Sequence, residues 1–417
     1  MHHFQYRNNQ LYCEEVAVKE IAAQVGTPFY LYSHATLTRH MEAFTSAFAS
    51  VPHLVCYSIK ANSNLAVLKT FVNLGAGFDI VSGGELYRAK QVGCDPRKIV
   101  YSGVGKTEKE IQAALEADIL MFNVESPQEL ETIDRVAGRV GKKAGIAIRV
   151  NPDVDPQTHP YISTGMKKAK FGINIARALE DYRKAAALPN LEVIGVDCHI
   201  GSQLTKLSPF VDAIRKVREL VETLQKEGFA IKYLDLGGGL GITYKDEEPP
   251  TPADYAEAII EATKGLDVTL VFEPGRMMVG NAGMLISKVL YVKEGEAKNF
   301  VIVDAAMNDL ARPALYGSYQ GIEAVDKSTS ATMVADVVGP ICESGDFLAQ
   351  DREVPAFRQG DLLAVASAGA YGFSMASNYN SRPRTPEVMV KGDKVLMVRQ
   401  RETYEDLIKG ETIPEGI

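Results

Sequence analysis

Short apolar runs alternate with amphipathic segments through most of this chain, and that alternation restricts the folds it can adopt. Eight runs have the β-branched and aromatic content of buried strands: 54–59, 78–81, 99–101, 119–124, 144–150, 193–198, 233–236 and 268–272. Eight strands that alternate with helices over about 250 residues are the pattern of a (β/α)8 barrel. A doubly wound open sheet would give the same alternation, because periodicity carries no information about closure.

The helical segments carry their own boundary signals. The clearest helix is predicted over 208–228, where Ser208 can cap the first turn and Gly228 suits the exit. Its apolar residues recur at spacings of three and four and form one stripe: Phe210, Ile214, Val217, Val221 and Leu224. Another helix is predicted to start at Thr107, with Glu110 completing a capping box.

The pattern changes near residue 282. From there, strand-like runs follow one another with turns and no long helix between them, as in a separate β domain; they cover 286–292, 300–303, 332–338 and 361–366. The N-terminal lead has two short strand-forming runs and a helical pattern, and we expect it to join that domain. We therefore predict a barrel over 27–281 and a discontinuous β domain, a sandwich or a barrel, built from 1–26 and 282–417.

Charge and composition argue against several kinds of partner. The 417 residues carry a net charge of −8 and no basic run, which disfavours nucleic acid and anionic membrane surfaces. No stretch reaches the roughly 18 apolar residues that a membrane-spanning helix needs, and the N-terminus lacks the pattern of a secretory signal. The five cysteines include no Cys-x-x-Cys pair, so we expect reduced thiols, no metal site and a cytoplasmic location.

Polar residues and glycines follow the predicted strands at the points where the strands end. In a (β/α)8 barrel those ends meet at one face, where the active sites of this fold lie. A single cluster of this kind is explained by a turn, but clusters at several successive strand ends are not. They are Lys60, 79–85, 149–152, 199–202, 237–239 and 273–276.

Lys60 ends an apolar run, where an ammonium is costly to bury unless it is paired or neutral. It is either a lysine that forms a Schiff base or a strand-end lysine that extends to water. The glycines of 237–239 would let backbone N–H groups approach an anion, and the loops after the seventh and eighth strands form the usual phosphate site of this fold. A lysine, a phosphate site and an acid together indicate pyridoxal 5′-phosphate, with Glu273 as the partner of its pyridinium nitrogen. His199 would lie flat on the ring, unless it is a structural histidine.

Seven motifs then carry a resemblance to a known family. They are Tyr57-Ser-Ile-Lys-Ala-Asn62, Asp79-Ile-Val-Ser-Gly-Gly-Glu85, His199-Ile-Gly-Ser202, Gly237-Gly-Gly239, Glu273-Pro-Gly-Arg276, Cys342-Glu-Ser-Gly-Asp346 and Gly369-Ala-Tyr371-Gly372. In these motifs, and in their order along nearly the whole chain, the sequence resembles the fold-type III pyridoxal-phosphate-dependent decarboxylases, whose barrel is alanine-racemase-like. Within them it resembles the diaminopimelate decarboxylases.

The resemblance implies how the cofactor is held. Lys60 would bind it covalently, His199 would pack against its ring and Glu273 would pair with the pyridine nitrogen. The remaining cofactor-binding residues implied are Ser202, Gly238, Pro274, Gly275, Arg276 and Tyr371. Among these, Ser202, Gly238 and the segment Gly275-Arg276 would hold the phosphate.

The resemblance also implies a head-to-tail homodimer with the active site at the interface. Cys342 and Glu343 would then reach into the partner subunit's site, and Tyr371 would contact cofactor and substrate. Cys342, acting as a general acid, or a water that it positions would return a proton to the substrate Cα.

The substrate is expected to be meso-2,6-diaminopimelate, which would yield L-lysine and carbon dioxide in the last step of lysine biosynthesis. Arg312 offers a planar fork suited to the distal carboxylate of that substrate, unless it is only a surface charge. Arg276 would assist, Glu343 would accept from the distal ammonium and Tyr316 would add a hydroxyl. In ornithine and arginine decarboxylases, the residue at the position of Glu343 is an aspartate.

Three alternatives stay open at this point. The chain could be a sister decarboxylase that acts on ornithine, arginine or carboxynorspermidine, an alanine-racemase-type enzyme, or a non-catalytic homologue that binds pyridoxal phosphate. The loop 158–165 is either a lid over the site or a fixed insertion in the barrel.

Overall fold

The computed structural model describes residues 2–155, 170–328 and 330–417. The loop 158–165 lies outside these described residues. The chain divides into two compact units. One comprises Met1–Leu37, Tyr244–Asp246 and Val279–Ile417, and the other comprises Thr38–Thr243 and Glu247–Met278. We call the first the β unit and the second the barrel unit.

The β unit begins with a small antiparallel sheet. Its strands are β1 (Phe4–Arg7), β2 (Gln10–Cys13) and β3 (Val16–Ala17). The helix α1 (Val18–Val25) follows directly, as predicted, and buries its apolar side through Val18 and Ile21. The next strand, β4 (Phe29–Ser33), is buried at every position.

Parallel strands form a closed barrel in the barrel unit. They are β5 (His53–Ser58), β6 (Gly77–Ile80), β7 (Ile99–Tyr101), β8 (Met121–Val124), β9 (Ala144–Asn151), β11 (Leu191–Asp197), β12 (Tyr233–Asp235) and β13 (Thr269–Phe272), with a short β10 (Ile173–Asn174) paired outside the ring on β9. The hydrogen-bonded order runs β9-β11-β12-β13-β5-β6-β7-β8 and returns from β8 to β9. Each of the eight predicted runs matches one of these strands to within two residues at either end. The barrel prediction is confirmed, and the open sheet is excluded because β13 pairs with β5 and β8 with β9.

A cluster of buried side chains from six of these strands forms part of the core of the barrel unit. Its members are Cys56, Val100, Met121, Ala147, Ile194 and Val271. Buried charged residues occupy different positions, at or just after the carboxyl ends of the strands, and include Asp79, Asp197, Asp235 and Glu273. The strands therefore combine an apolar core with a polar face.

Helices alternate with the barrel strands. They are α2 (His34–Ala47), α3 (Leu65–Asn73), α4 (Gly83–Gln91), α5 (Glu108–Glu116), α6 (Pro127–Val140), α7 (Ile175–Ala187), α8 (Ser208–Lys226), α9 (Pro252–Thr263) and α10 (Arg276–Val279). The stripe predicted for α8 is buried along its whole length. The capping box of Thr107 and Glu110 at α5 is also confirmed.

The predicted cap of α8 is wrong. Ser208 is the first residue of the helix, Leu207 precedes it with helical backbone angles, and no side chain caps the first turn. A serine in a helical conformation cannot place its hydroxyl over the N–H groups of the following turn as an extended cap residue does.

The rest of the β unit is rich in sheet. Its strands are β14 (Gly283–Lys293), β15 (Phe300–Val303), β16 (Ile322–Ala324), β17 (Thr332–Val338), β18 (Phe347–Pro355), β19 (Leu362–Val365), β20 (Glu387–Lys391) and β21 (Lys394–Arg399). In the described residues after β14, the helices are short, α11 (Arg312–Tyr316) and α12 (Tyr404–Leu407). The main path of the sheet is β18-β17-β15-β14-β4-β20-β21, so β4 pairs with strands from the other end of the chain. Within the described residues, no helix is both long and apolar enough to span a membrane.

Candidate active site

Lys60 lies directly after β5, in a short 3-10 turn formed by Ile59–Ala61. The Tyr57 hydroxyl donates to the carbonyl oxygen of Asn62 at 3.0 Å, which ties together the two ends of the motif around the lysine. Lys60 Nζ lies 2.6 Å from Asp79 Oδ2; the Asp79 side chain is fully buried, whereas 42% of the Lys60 side chain is exposed. The ammonium therefore pairs with a buried carboxylate and stays accessible from outside the barrel.

Asp79 also accepts a hydrogen bond from the Ser58 hydroxyl at 2.8 Å. Asp79 is the first residue of a motif in the sequence, but no role was predicted for it. The signal was present, because Asp79 lies on the strand next to that of Lys60, with Ser58 directly opposite it in register. Removing a donor or acceptor from such a buried pair leaves its partner unsatisfied, so Asp79 is part of the site's construction.

Glu273, directly after β13, is buried and held by two side chains from across the barrel. Its Oε1 accepts from the Ser102 hydroxyl at 3.0 Å and from the Asn123 amide at 3.2 Å. The same Asn123 amide lies 3.0 Å from Asp235 Oδ2. Sequence reasoning predicted Glu273 and missed Ser102, Asn123 and Asp235, because no motif connects these four positions.

Burial raises the pKa of Glu273 well above its usual range, and the neighbouring carboxyl groups of Asp235 and Asp79 add to the effect. Burial and Asp197 raise the pKa of Asp235 to about 7. The face thus contains more carboxyl groups than it can readily keep ionised. A cationic group next to Glu273 would relieve that repulsion.

His199 follows β11 and is held neutral. The Gly238 N–H donates to His199 Nδ1 at 3.1 Å, so the ring proton lies on Nε2. Burial lowers the pKa of His199 well below its usual value, with Arg149 and Lys60 acting in the same direction. A Cβ on Gly237 would lie 2.4 Å from Nδ1, so only glycine fits against the ring.

The loops after β11, β12 and β13 contact one another through backbone. A Cβ on Gly238 would lie 2.3 Å from the carbonyl oxygen of Glu273, and Gly239 has a φ of +112° that favours glycine. Arg276 Nη2 donates to Ser202 Oγ at 3.2 Å, and the Arg276 residue is only 4% exposed. The predicted phosphate-binding residues Ser202, Gly238 and Arg276 therefore lie in neighbouring loops.

Arg149 and its partners form a second buried group. Arg149 Nη1 lies 2.7 Å from Glu125 Oε1, and Arg149 Nε lies 4.0 Å from Asp197 Oδ2. Burial opposes the charge on Arg149, but Glu125 and Asp197 outweigh it and raise the guanidinium pKa. This fixed cation favours the neutral form of His199.

In the β unit, Arg312 is 8% exposed and surrounded by tyrosines. Its guanidinium carbon lies 5.5 Å from the ring centroid of Tyr244, 5.6 Å from that of Tyr316 and 6.0 Å from that of Tyr371. Arg312, Tyr316 and Tyr371 were predicted together, whereas Tyr244 was missed because no motif surrounds it. The alternative interpretation of Arg312 as a surface charge is wrong, because the rings and the rest of the unit bury it.

Cys342 and Glu343 lie on the surface of the β unit. Cys342 is the exposed cysteine, while the other four are buried. Its N–H donates to Asn380 Oδ1 at 2.8 Å, and Glu343 Oε2 accepts from the Tyr379 hydroxyl at 2.6 Å. The predicted site residues are thus divided between the two units: those around Lys60 lie in the barrel unit, whereas Arg312 with its tyrosines and Cys342 with Glu343 lie in the β unit.

The barrel face fits pyridoxal phosphate. That cofactor has an aldehyde that reacts with an amine, a phosphate, and a ring nitrogen that is most effective when protonated. Lys60 supplies an accessible amine, and Glu273 lies among acids that favour a nearby cation. The glycine loop, where a Cβ would meet backbone, packs beside the Ser202 hydroxyl and the Arg276 guanidinium, two groups that can bind a phosphate.

Comparison with known proteins gives the class. The chain matches the model of a family described as "Pyridoxal-dependent decarboxylase, pyridoxal binding domain" over residues 34–280. This range contains the whole barrel and every group at its polar face. The fold and the site define a pyridoxal-dependent decarboxylase.

Individual relatives narrow that class. The diaminopimelate decarboxylase of Pseudomonas aeruginosa is 56% identical over 410 residues, which cover 98% of this chain and 99% of that protein. The diaminopimelate decarboxylase of M. jannaschii, solved in complex with L-lysine, has a TM-score of 0.94 at 40% identity and covers 99% of this chain and 98% of its own. The Helicobacter pylori enzyme of the same name, also solved with L-lysine, has a TM-score of 0.91 at 44% identity, covering 94% and 98%. The chain belongs to the diaminopimelate decarboxylase family.

Proposed function

We propose that this protein uses pyridoxal 5′-phosphate to decarboxylate meso-2,6-diaminopimelate, giving L-lysine and carbon dioxide. The observation that carries the proposal is the accessible Lys60 ammonium on a buried Asp79, in a chain 56% identical over nearly its full length to a diaminopimelate decarboxylase. The alanine-racemase-type alternative leaves Arg312 and its three tyrosines without a use.

The cofactor, when bound, supplies an electron sink for the bond that breaks between Cα and the carboxylate. Lys60 is the amine that would hold it, and Asp79 keeps the Nζ in place at 2.6 Å. Glu273 would stabilise a proton on the ring nitrogen through its ionised carboxylate. His199 would pack against the ring as a neutral imidazole, and its lowered pKa makes it too weak a base to take that proton.

The phosphate would lie at the loops after β11, β12 and β13. Gly238 belongs to the loop that packs closely on Glu273, Ser202 offers a hydroxyl, and Arg276 offers a buried guanidinium already hydrogen-bonded to that hydroxyl. Pro274 and Gly275 connect Glu273 to Arg276, and Ser58 N–H donates to the carbonyl oxygen of Pro274 at 3.1 Å. The nitrogen partner and the phosphate partner therefore lie on one fixed segment, which we assign with the rest of the barrel to the cofactor-binding domain.

Substrate selection is assigned to Arg312. Its planar fork would bind the distal carboxylate of the substrate through two parallel hydrogen bonds. Ornithine and arginine have no distal carboxylate. Tyr316 and Tyr371 would order the guanidinium, Glu343 would accept from the distal ammonium, and Arg276 would assist. A site built around a carboxylate discriminates strongly against a ligand without one, because the hydrogen bonds to that carboxylate are then not made.

We further propose that the chain acts as a homodimer in the cytoplasm, with Cys342 and Glu343 contributed to the partner's site. Their exposure in the single subunit supports this assignment, since a proton donor to Cα needs a site that excludes water. Cys342, or a water that it positions, would return the proton to Cα.

Mixing the inactive variants Lys60→Ala and Cys342→Ala should restore about a quarter of wild-type activity, because half of the dimers are mixed and each has one intact site. If mixing restores no activity, the proposal that the two subunits share their active sites is refuted.

Carbon dioxide release from meso-diaminopimelate, ornithine and arginine tests the activity itself. We expect release from meso-diaminopimelate at a kcat/KM well above that for the other two. Release from ornithine or arginine alone would overturn the substrate assignment. Purified protein that develops no visible absorbance band with pyridoxal phosphate would overturn the cofactor assignment.

A further inference from the structure

The side chain of Asn123 has no role in the proposed mechanism, but it lies between two buried acids, Glu273 and Asp235. Asn123 is fully buried on β8, and its amide nitrogen lies 3.2 Å from Glu273 Oε1 and 3.0 Å from Asp235 Oδ2. The Ser102 hydroxyl, on the neighbouring strand end, donates to the same Glu273 oxygen at 3.0 Å. One carboxylate oxygen of Glu273 thus has two donors, both from side chains remote in sequence.

The surroundings decide which way the Asn123 amide faces. Only the nitrogen side carries protons to give to two carboxylates, and the flipped amide would set its oxygen against both acids. Among the described residues, Asn123 Oδ1 has no hydrogen-bond donor, so the orientation is held from the nitrogen side, by the two acids and by Ser102 Oγ at 3.2 Å. An unsatisfied buried acceptor is destabilising, and it persists here because the nitrogen side bridges two carboxyl groups.

The backbone at Asn123 is held as firmly as its side chain. Its carbonyl oxygen accepts from Lys106 Nζ at 2.7 Å. Lys106 also donates to the carbonyl oxygen of Gly103 at 2.9 Å and pairs with Glu129 Oε1 at 2.6 Å, and its side chain is 1% exposed. A buried lysine that is fully paired in this way fixes the end of β8, and with it the point from which the amide reaches into the barrel.

We propose that Asn123 is a positioning residue that orients the Glu273 carboxylate and stabilises its ionised form, with Asp235 anchoring the amide from the other side. The inference rests on the proposed function, in which ionised Glu273 faces the ring nitrogen of the cofactor. The hydrogen bond from Asn123 helps to explain how Glu273 stays ionised although burial and the neighbouring acids oppose its charge.

The charged groups that affect the ionisation of Glu273 lie on several strands of the barrel. Asp79, Asp197 and Asp235 disfavour the ionised form of Glu273, and Lys60 and Arg149 favour it. Burial is the largest effect and raises the pKa of Glu273. Because Asn123 donates to the ionised form, its removal raises that pKa further. Only ionised Glu273 keeps the ring nitrogen protonated, so the acid limb of the activity profile moves to higher pH.

The test compares Asn123→Ala with Asn190→Ala in the cofactor-loaded enzyme. Asn190 lies in the same unit, but its amide donates to the backbone carbonyl of Asp134 at 3.2 Å and is unrelated to Glu273. For Asn123→Ala we expect the acid limb of kcat to move up by about one to two pH units, the effect of losing one hydrogen bond to a charged group. With cofactor labelled at the ring nitrogen with ¹⁵N and both variants measured at the same pH, the nuclear magnetic resonance signal should be that of the neutral nitrogen in Asn123→Ala and that of the protonated nitrogen in Asn190→Ala.

Two further variants keep the outcome decisive. Ser102→Ala removes the other donor to Glu273 and should shift the profile in the same direction, so it carries the test if Asn123→Ala does not fold. Glu273→Gln separates this inference from the function beneath it. If Glu273→Gln leaves activity and the ¹⁵N signal unchanged, the proposed role of Glu273 fails. If Glu273→Gln abolishes activity while Asn123→Ala and Ser102→Ala leave the pH profile and the ¹⁵N signal as in Asn190→Ala, the positioning role is overturned.

Discussion

Replacing Arg312 tests how the proposed substrate is chosen. Arg312→Lys keeps a cation among the rings of Tyr244, Tyr316 and Tyr371 but removes the planar fork. A hydrogen bond to a charged group is worth about 1.5–3 kcal/mol, and each 1.36 kcal/mol is a factor of ten, so kcat/KM for meso-diaminopimelate should fall about 10- to 150-fold. The loss should lie mainly in KM, because the distal carboxylate is bound in the ground state and the transition state alike.

Arg312→Met removes the cation as well, and its stability can be worked from the same three distances. Each cation–π contact within about 6 Å contributes about 0.5–1 kcal/mol, so three contacts at 5.5, 5.6 and 6.0 Å predict a loss of about 1.5–3 kcal/mol. Urea unfolding of Arg312→Met against Arg312→Lys measures that loss, since only the second variant retains a charge over the rings. Comparing the two variants therefore separates the contribution of the planar fork from the contribution of the positive charge.

Arg352→Lys is the matched control. Arg352 also stacks on a tyrosine of the β unit, with its guanidinium carbon 3.7 Å from the ring of Tyr319, and it donates to the carbonyl oxygen of Gln320 at 2.9 Å. Its replacement should leave kcat/KM within about twofold of wild type, as surface changes away from a site usually do. An unchanged KM in Arg312→Lys, or an equal loss in Arg352→Lys, would refute the assignment of Arg312 to the distal carboxylate.

Three further predictions concern the lysine, a buried acid and a helix cap. Lys60→Ala and Lys60→Arg should both lose turnover in the carbon dioxide assay, because arginine keeps a charge beside Asp79 but has no amine to react; turnover in either variant would contradict the assigned role. Asp235 has a folded-state pKa of about 7 against an ordinary 3.8, so the folded protein binds its proton more tightly, and stability from this group is lost as pH rises from about 4 to about 7. Urea unfolding of cofactor-free protein should therefore show wild type losing more stability than Asp235→Asn between pH 5 and pH 8, and equal losses would contradict the burial argument. Thr107→Ala should lower the free energy of unfolding by about 1 kcal/mol, because it removes the capping box. Thr132→Ala, on an exposed helix surface, should lower it by less than about 0.5 kcal/mol. Equal effects of the two variants would show that the capping box does not stabilise the protein.

Local patterns in the sequence predicted the barrel strands and the position of Lys60, because strand periodicity and strand ends are properties of neighbouring residues. Closure of the barrel was not predictable in the same way, since it depends on β8 pairing with β9 and β13 with β5. The strand β4 was missed for a related reason. Its partners β14 and β20 lie at the other end of the chain, so nothing near Phe29–Ser33 indicates the sheet that it joins.

The residues of the candidate site likewise include some that the sequence predicted and some that it did not. Lys60 and Glu273 were predicted from motifs and Arg312 from its match to the expected substrate, and the structure gives each a defined environment. Asn123 was missed because its contacts span 112 and 150 positions in sequence, and an isolated asparagine on a strand carries no local signal. Tyr244 was missed because its loop carries no motif. What the sequence does not contain is which remote side chains the closed barrel brings together.

The most direct test of the account is to locate the lysine that holds the cofactor. Protein loaded with pyridoxal phosphate is reduced with borohydride, digested and mapped by mass spectrometry, so that the cofactor stays attached to the residue that bound it. We expect one labelled peptide, modified at Lys60, and none in Lys60→Ala treated in the same way. Label at another lysine, such as the buried Lys106, or equal labelling of Lys60→Ala, would show that Lys60 does not hold the cofactor.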